Sequence, residues 1–184
     1  MPDVQRATRD AEATRQRILT AAVDAFAAYG FDGASTRTIA GSAGVDPRLI
    51  TRYYGSKEAL FEQVVEKTYE HPLMMLPGDN LVMARSLLSD PPEGQSKGLL
   101  LTIRSAGSPR AVEIMQRHLA GHYQRDLAAG LPDGIDAAAR AALLIAVCSG
   151  VQLLRNVLDN TALQGEASDA VVERLAAALD LLGS

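Results

Sequence analysis

The chain has 184 residues, of which 18 are Lys or Arg and 22 are Asp or Glu, so its formal net charge is -4. This balance excludes a protein that coats nucleic acid without regard to sequence, because phosphate repels an acidic surface. A hydrophobic fraction of 47% excludes a disordered chain and predicts one globular domain or two small ones.

Cysteine content and hydropathy predict a cytoplasmic protein. The single cysteine, Cys148, cannot form an intramolecular disulfide, which favours a reducing compartment. The first 17 residues are charged and lack the apolar stretch of a secretory signal. The longest apolar run, residues 141–154, contains Ser149 and Gln152 and is shorter than the ~20 residues that span a bilayer. We therefore expect no membrane association.

Apolar residues recur at helical spacing along almost the whole chain, and strand-like alternation is scarce, so the predicted fold class is all-α. The first helix is predicted from about residue 12 to residue 29, with Gly30 in the left-handed position that follows a helix end. Short helices are predicted at 36–42 and from Pro47 to about residue 54, followed by a longer helix at 57–69.

In the second half of the chain, proline and glycine interrupt the pattern, and the helices are harder to delimit. The predicted helices are 80–89, 98–105, 108–129, 135–158 and 168–182. No internal repeat and no low-complexity segment is present.

Residues 35–54 meet the requirements of a helix-turn-helix unit, in which the second of two short helices enters the major groove of DNA. Ser35 and Asp46 are suited to cap the two helices, and Gly44 can adopt a positive φ in the turn between them. Ile39 and Ile50 supply apolar contacts that fix the angle between the helices. The polar side chains left outside include Arg37, Arg48 and Arg52.

The segment 14–62, with Ile18-Leu19, Ala43-Gly44-Val45 and Ser56-Lys57-Glu58-Ala59-Leu60 in order, closely resembles the DNA-binding domain of the TetR (tetracycline-repressor-like) transcriptional regulators. The resemblance implies an amino-terminal arm and three-helix DNA-binding domain at residues 1–57. It also implies a helical ligand-binding and dimerisation domain at residues 58–184. The expected function is a ligand-responsive regulator, most simply a repressor that a small molecule releases from a palindromic operator.

The resemblance also implies which residues meet DNA. The implied contacts are Ser35, Thr36, Arg37, Pro47, Arg48, Thr51, Arg52, Tyr53 and Lys57. Thr51 stands where the family usually has tyrosine, so one contact with the DNA backbone is absent or replaced. Arg52 can reach either a phosphate or a guanine edge, and Ser35 can cap its helix with or without touching DNA.

Charge is distributed unevenly along the chain. Residues 1–57 hold 8 Lys or Arg and 6 Asp or Glu, a net charge of +2, whereas residues 58–184 hold 10 and 16, a net charge of -6. The amino-terminal arm contributes Arg6, Arg9, Arg15 and Arg17. This arm is interpreted either as a segment that follows phosphate or enters a minor groove, or as a frayed terminus.

The segment 138–154 is apolar on nearly all sides, and the last helix has a second apolar stripe, which favours a two-fold interface of four helices. The resemblance implies a homodimer through these last two helices. The expected interface residues are Ala142, Ala146, Gly150, Leu153, Val171, Leu175 and Leu179.

The resemblance implies an effector pocket among the helices of the carboxy-terminal domain. Candidate lining residues are Met74, Met75, Leu99, Leu100, Ile103, Met115, Leu119 and Tyr123, although apolar residues at this spacing also describe an ordinary core. His118 and His122 lie four residues apart, but no third metal ligand is evident, so hydrogen-bonded or solvated histidines are favoured and no metal or cofactor is expected.

Two other classes of protein remain as alternatives. A dimeric small-molecule-binding protein could retain the helix-turn-helix only as a scaffold, and the threonine at position 51 gives this alternative its support. An enzyme has less support, because no catalytic triad, phosphate-binding glycine loop or metal triad is recognisable in the sequence.

Overall fold

The computed structural model describes residues 2–69, 79–90, 96–132, 134, 136–165 and 167–184, and for residues 2–8 and 122 it describes the backbone alone. Within these residues all regular elements are helical, which confirms the all-α prediction. The helices are α1 (Pro2–Gly33), α2 (Thr36–Ala43), α3 (Arg48–Tyr54), α4 (Lys57–Tyr69), α5 (Asn80–Leu87), α6 (Ser96–Ser105), α7 (Pro109–His118), α8 (Gln124–Gly130), α9 (Ala137–Asn156) and α10 (Asp169–Gly183).

Two helices differ from the sequence-based expectation. α1 begins ten residues earlier than predicted, so the backbone of the amino-terminal arm is helical from Pro2. The helix predicted at 108–129 is present as α7 and α8, but a π-helical turn at Leu119–Tyr123 separates them. One extra residue in such a turn rotates the side chains that follow it, and local periodicity gives no warning of this change.

The chain forms two compact units. The first unit contains Met1–Thr68 and Leu100–Met115, and the second contains Tyr69–Leu99 and Gln116–Ser184. The first unit therefore extends past the domain boundary expected at residue 57. The reason lies in α4, whose buried Phe61 meets the rings of Phe26 and Phe31, each at a centroid distance of 4.9 Å. Such aromatic pairs add about 0.5–1.5 kcal/mol each beyond the area that they bury.

Gly30 ends the regular part of α1 and allows the backbone of residue 104 to come close. Its φ is +68°, which confirms the expected positive φ, but its ψ of 178° lies outside the left-handed helical region. A Cβ at this position would lie 2.2 Å from the carbonyl oxygen of Arg104. Glycine is required here by the close approach as well as by the backbone angle.

Polar contacts join the same two segments of the first unit. The Arg104 guanidinium donates to the carbonyl of Ala27. The Phe31 N–H donates to the hydroxyl of Ser105 at 3.0 Å, and the hydroxyl of Ser108 donates to the Asp32 carboxylate at 3.1 Å. Two of these contacts supply partners to backbone groups of α1, the carbonyl of Ala27 and the N–H of Phe31, on either side of the non-helical Gly30.

In the second unit α5 runs antiparallel to α10, and α8 packs on α9. Asn80 donates to the Asp180 carboxylate at 2.6 Å, and Arg85 pairs with Asp169 at 2.8 Å, so the start of α5 lies beside the end of α10. The core of this unit contains Met83, Leu87, Leu127, Ala141, Leu144, Cys148 and Leu179.

We predict that Gly30→Ala destabilises the protein, because the methyl group would meet the Arg104 carbonyl at a positive φ. The expected loss is roughly 3 kcal/mol or more in the free energy of unfolding measured with urea. Gly41→Ala is the matched control, since a Cβ there meets nothing within 4 Å, and it should stabilise α2 by about 1 kcal/mol. Equal unfolding midpoints for the two variants would contradict the prediction.

Candidate nucleic-acid interface

α2 begins and ends at capping residues that the sequence predicts. The Ser35 hydroxyl accepts a hydrogen bond of 3.0 Å from the Thr38 N–H, which supplies a partner to one of the free N–H groups of the first turn. Gly44 follows the helix with φ 65° and ψ 40°, the left-handed conformation that reverses the chain. The buried face of α2 consists of Ile39, Ala40 and Ala43.

α3 begins at the predicted aspartate and proline. The Asp46 carboxylate accepts a hydrogen bond of 2.8 Å from the Arg48 N–H, and Pro47 already has helical angles of -54° and -27°. Ile50 and Tyr54 are buried, which leaves the opposite face of this seven-residue helix to solvent. Capping and burial together fix which side of α3 is available to a ligand.

The residues predicted to contact DNA all belong to the first unit, and their side chains are accessible to solvent. Arg37, Arg48 and Arg52 are exposed, and so are Ser35, Pro47 and Thr51. Thr36, Tyr53 and Lys57 are half-buried. The hydroxyl of Ser35 also lies 2.7 Å from that of Thr38, so its capping role is established by geometry while its role toward DNA stays a prediction.

Two cations next to the motif lie over aromatic rings, an arrangement that the sequence analysis did not find. The Lys57 Nζ is 4.6 Å from the centre of the Phe31 ring, and the Arg15 guanidinium carbon is 5.2 Å from that of Tyr54. The Tyr54 hydroxyl donates to the backbone carbonyl of Arg15 at 2.8 Å. Burial raises the pKa of Tyr54, and the nearby Arg15 opposes this rise only in part. Tyr54 therefore stays a neutral donor that links α3 to α1.

This geometry defines the class of protein: two capped helices and a glycine turn hold an arginine-bearing helix outward, as in helix-turn-helix DNA-binding proteins. A family model described as bacterial regulatory proteins of the tetR family matches residues 18–64. A second model, the tetracyclin repressor-like C-terminal domain, matches residues 81–182, more than half of the chain. The chain belongs to the TetR family of transcriptional regulators.

The individual curated relatives match about a third of this chain. The HTH-type transcriptional repressor SCO4008 of Streptomyces coelicolor is 49% identical over 61 residues, which are 33% of this chain and 32% of that protein. The HTH-type transcriptional repressor NicS of Pseudomonas putida is 43% identical over 61 residues, 33% and 29% of the two chains. The chain thus spans about a third of the length of the curated relatives that it matches.

Solved structures are similar along nearly the full length of the chain. A transcriptional regulator from Rhodococcus sp. Rha1 has a TM-score of 0.59 and 28% sequence identity, with 91% of this chain and 92% of that chain covered. The similarity in fold therefore extends along nearly the whole chain, whereas the curated relatives match about a third of it.

The structure divides the predicted pocket residues between the two units. Met74 and Met75 lie outside the described residues. Leu100, Ile103 and Met115 belong to the first unit, where Met115 is buried, and Leu99, Leu119 and Tyr123 belong to the second. Leu119 and Tyr123 are the first and last residues of the π-helical turn. Burial raises the pKa of Tyr123, and the nearby Cys148 thiol raises it further, so this phenol stays protonated.

A cavity of about 400 Å³ in the second unit is lined by other residues, namely Arg85, Leu88, Ser89, Asp90, Arg155, Gly165, Ala167 and Val172. Arg155, only 2% exposed, donates to the carbonyls of Ser89, Leu163 and Gly165 and to the Asp90 carboxylate. Its guanidinium is thus satisfied by the chain itself and holds the loops that follow α5 and α9. The only sequence signal for this role is an arginine within an apolar helix.

The predicted interface residues mostly lie on the surface of the second unit. Ala142 and Ala146 are exposed, Val171 is 37% exposed, and Gly150, Leu153 and Leu175 are half-buried. Leu179 is a correction, because it is 1% exposed and packs in the core of its own unit. Exposed Leu143 and Leu154 on α9, which the prediction omitted, continue the apolar surface.

The pair of His118 and His122 stays untested as a metal site, because the structure does not describe the side chain of His122. Among the residues that the structure describes, no group of three His, Cys, Asp or Glu side chains is arranged to hold a metal ion. His118 ends α7, and the side chain of His122 lies outside the described residues.

We predict that Cys148 is unreactive in the folded protein. The thiol is fully buried, and burial raises its pKa from 9.0 to about 11. Alkylation at pH 8 should be about 100-fold slower in the native protein than in urea, because thiolate is the reactive form. The free energy of unfolding should fall as pH rises from 9 toward 11, since the unfolded chain loses the proton first. Equal alkylation rates in buffer and urea would contradict this placement.

Proposed function

We propose that this chain is a homodimeric, effector-responsive repressor that reads a palindromic operator with α3. The observation that carries the proposal is the outward face of the motif, where Arg37, Arg48 and Arg52 are exposed beside capped, rigid helix starts. Among the described residues none of these arginines forms an ion pair, so their charges are available to phosphates and base edges.

Dimerisation is proposed through α9 and α10. α9 has 20 residues, and its most apolar 18-residue window has a mean hydropathy of 1.8, so by length and composition alone it could cross a membrane. Only 17% of its most apolar window is buried within the chain, and Leu143 and Leu154 are 51% and 42% exposed. A second copy related by a two-fold axis would cover this surface and would place two recognition helices for half-sites spaced by about 34–36 Å.

The effector is proposed to be a small molecule bound within the carboxy-terminal helices, in the cytoplasm where the operator lies. Binding would favour one arrangement of the helix-turn-helix motifs of the two subunits. The affinities for effector and DNA would therefore be coupled reciprocally. The two named repressors among the relatives support repression as the mode of action. A catalytic activity is not part of the proposal.

The DNA-binding proposal is tested by selecting duplexes from a random pool with the full chain. We expect recovery of a palindrome whose affinity falls steeply with salt. Arg48→Ala and Lys57→Ala should each weaken binding by roughly 5-fold to 100-fold, the range typical of a lost base or phosphate contact. Arg48→Ala should also relax sequence preference, whereas Lys57→Ala should not.

Arg125→Ala is the matched control for these variants. Arg125 is an exposed arginine of the second unit, next to Asp126, and its loss should leave the operator affinity unchanged. Recovery of no duplex, or equal binding by the wild type and both motif variants, would reject the assigned surface.

The dimer is tested with Gly150→Arg. A Cβ at Gly150 meets nothing within 4 Å in the chain itself, so the long cation should leave the fold intact and disrupt only the interface. Light scattering should give twice the 19.5 kDa chain mass for the wild type and the single mass for the variant. Gly107→Arg, at another open glycine, should remain dimeric. A dimeric Gly150→Arg protein would contradict the proposed face.

A further inference from the structure

We infer that Arg15 binds a DNA phosphate beside the recognition helix, as a second ring-held cation together with Lys57. This inference rests on the proposed DNA-binding function and adds a contact that lies outside the helix-turn-helix segment. Four observations carry it: the ring geometry, the hydrogen bond to α3, the lack of an ion pair among the described residues, and the helical conformation of the arm.

Arg15 is fixed to the end of α3 by two contacts with one side chain. Its guanidinium lies over the Tyr54 ring at 5.2 Å, and its backbone carbonyl accepts the Tyr54 hydroxyl at 2.8 Å. Tyr54 is the last residue of α3, the helix whose exposed face carries Arg48 and Arg52. Tyr54 is buried on the side of α3 away from that face, but the Arg15 side chain is exposed at the end of α3 that Lys57 follows. Phosphates border a recognition helix in the major groove, so an exposed cation at this end can reach one.

The partner of the guanidinium is a ring and not a carboxylate. Within the described part of the chain Arg15 forms no ion pair, and its side chain is exposed. A carboxylate in an ion pair with Arg15 would have to be displaced by phosphate, whereas a ring face orients the cation without forming an ion pair with it. A guanidinium has five N–H donors, so contact with one phenol leaves donors for a phosphate.

The same arrangement occurs at the residue for which the family resemblance implies phosphate binding. Lys57 lies over the Phe31 ring at 4.6 Å and also forms no ion pair among the described residues. Lys57 is three residues beyond the end of α3, and Arg15 is hydrogen-bonded to that end. A ring orients each cation before DNA binds. Orientation in advance lowers the entropic cost of ordering a long side chain on DNA.

The helical geometry of α1 distinguishes the position of Arg15 beside α3 from that of the nearby Arg17. α1 is helical from Pro2, so Arg15 belongs to a formed helix and not to a frayed end. Arg17, two residues later, lies about 200° around the helix, and its guanidinium is 3.4 Å from the Thr14 hydroxyl. The two arginines therefore carry the same charge on opposite sides of one helix.

The test compares Arg15→Gln with Arg17→Gln on the palindromic duplex that the full chain recovers from random DNA. The measured quantity is the slope of the logarithm of the binding constant against the logarithm of salt concentration. Loss of one phosphate contact reduces the slope by about 0.9, or by about 1.8 for a dimer, and weakens binding roughly fivefold per protomer at about 0.15 M salt. We expect this change for Arg15→Gln, an unchanged slope for Arg17→Gln, and a wild-type slope for Arg15→Lys.

Equal slopes for Arg15→Gln and Arg17→Gln would overturn the inference while leaving the proposed function intact. A reduced slope for Arg15→Lys would also overturn it, because the charge is retained in that variant. If the wild-type chain recovered no duplex, the proposed function and this inference would both fail. Thermal unfolding of each variant separates a loss of DNA binding from a loss of fold. The same measurement is made on Tyr54→Phe, which keeps the ring but lacks the hydroxyl that binds the Arg15 carbonyl.

Discussion

Gly30 and the carbonyl of Arg104 approach so closely that one additional carbon atom would not fit between them. Because this contact packs the segment 100–115 against the end of α1, that segment belongs to the first unit. The Phe31 N–H and the Asp32 carboxylate then find partners in Ser105 and Ser108. A segment that belongs to the carboxy-terminal family model is in this way built into the unit that carries the DNA-binding motif.

The protein uses arginine in two physically opposite ways. In the second unit Arg155 is buried, and backbone carbonyls and a carboxylate satisfy it, so it stabilises loops and offers nothing to a ligand. In the first unit Arg15, Arg48 and Arg52 are exposed, and none of them forms an ion pair among the described residues. The overall acidity of -4 is consistent with DNA binding, because affinity depends on where charge is exposed rather than on its sum.

Much of the first unit could be predicted because its signals are local. A cap, a proline and a glycine act within one turn of the chain, so Ser35, Asp46 and Gly44 could be placed from their neighbours alone. Burial on the last two helices is harder to predict, because an apolar stripe does not reveal which side faces the protein's own core. Leu179 looked equivalent to Val171 along the sequence, yet it points inward.

The sequence by itself determined the fold class, the helix-turn-helix and the face of α3 available to DNA, because period, capping and turn chemistry depend on residues close together in the chain. Only the tertiary structure decided that Arg104 meets Gly30, that the rings of Tyr54 and Phe31 hold cations, and that Arg155 is buried. These contacts join residues from separate helices, and their free energies come from packing and desolvation that no local pattern records.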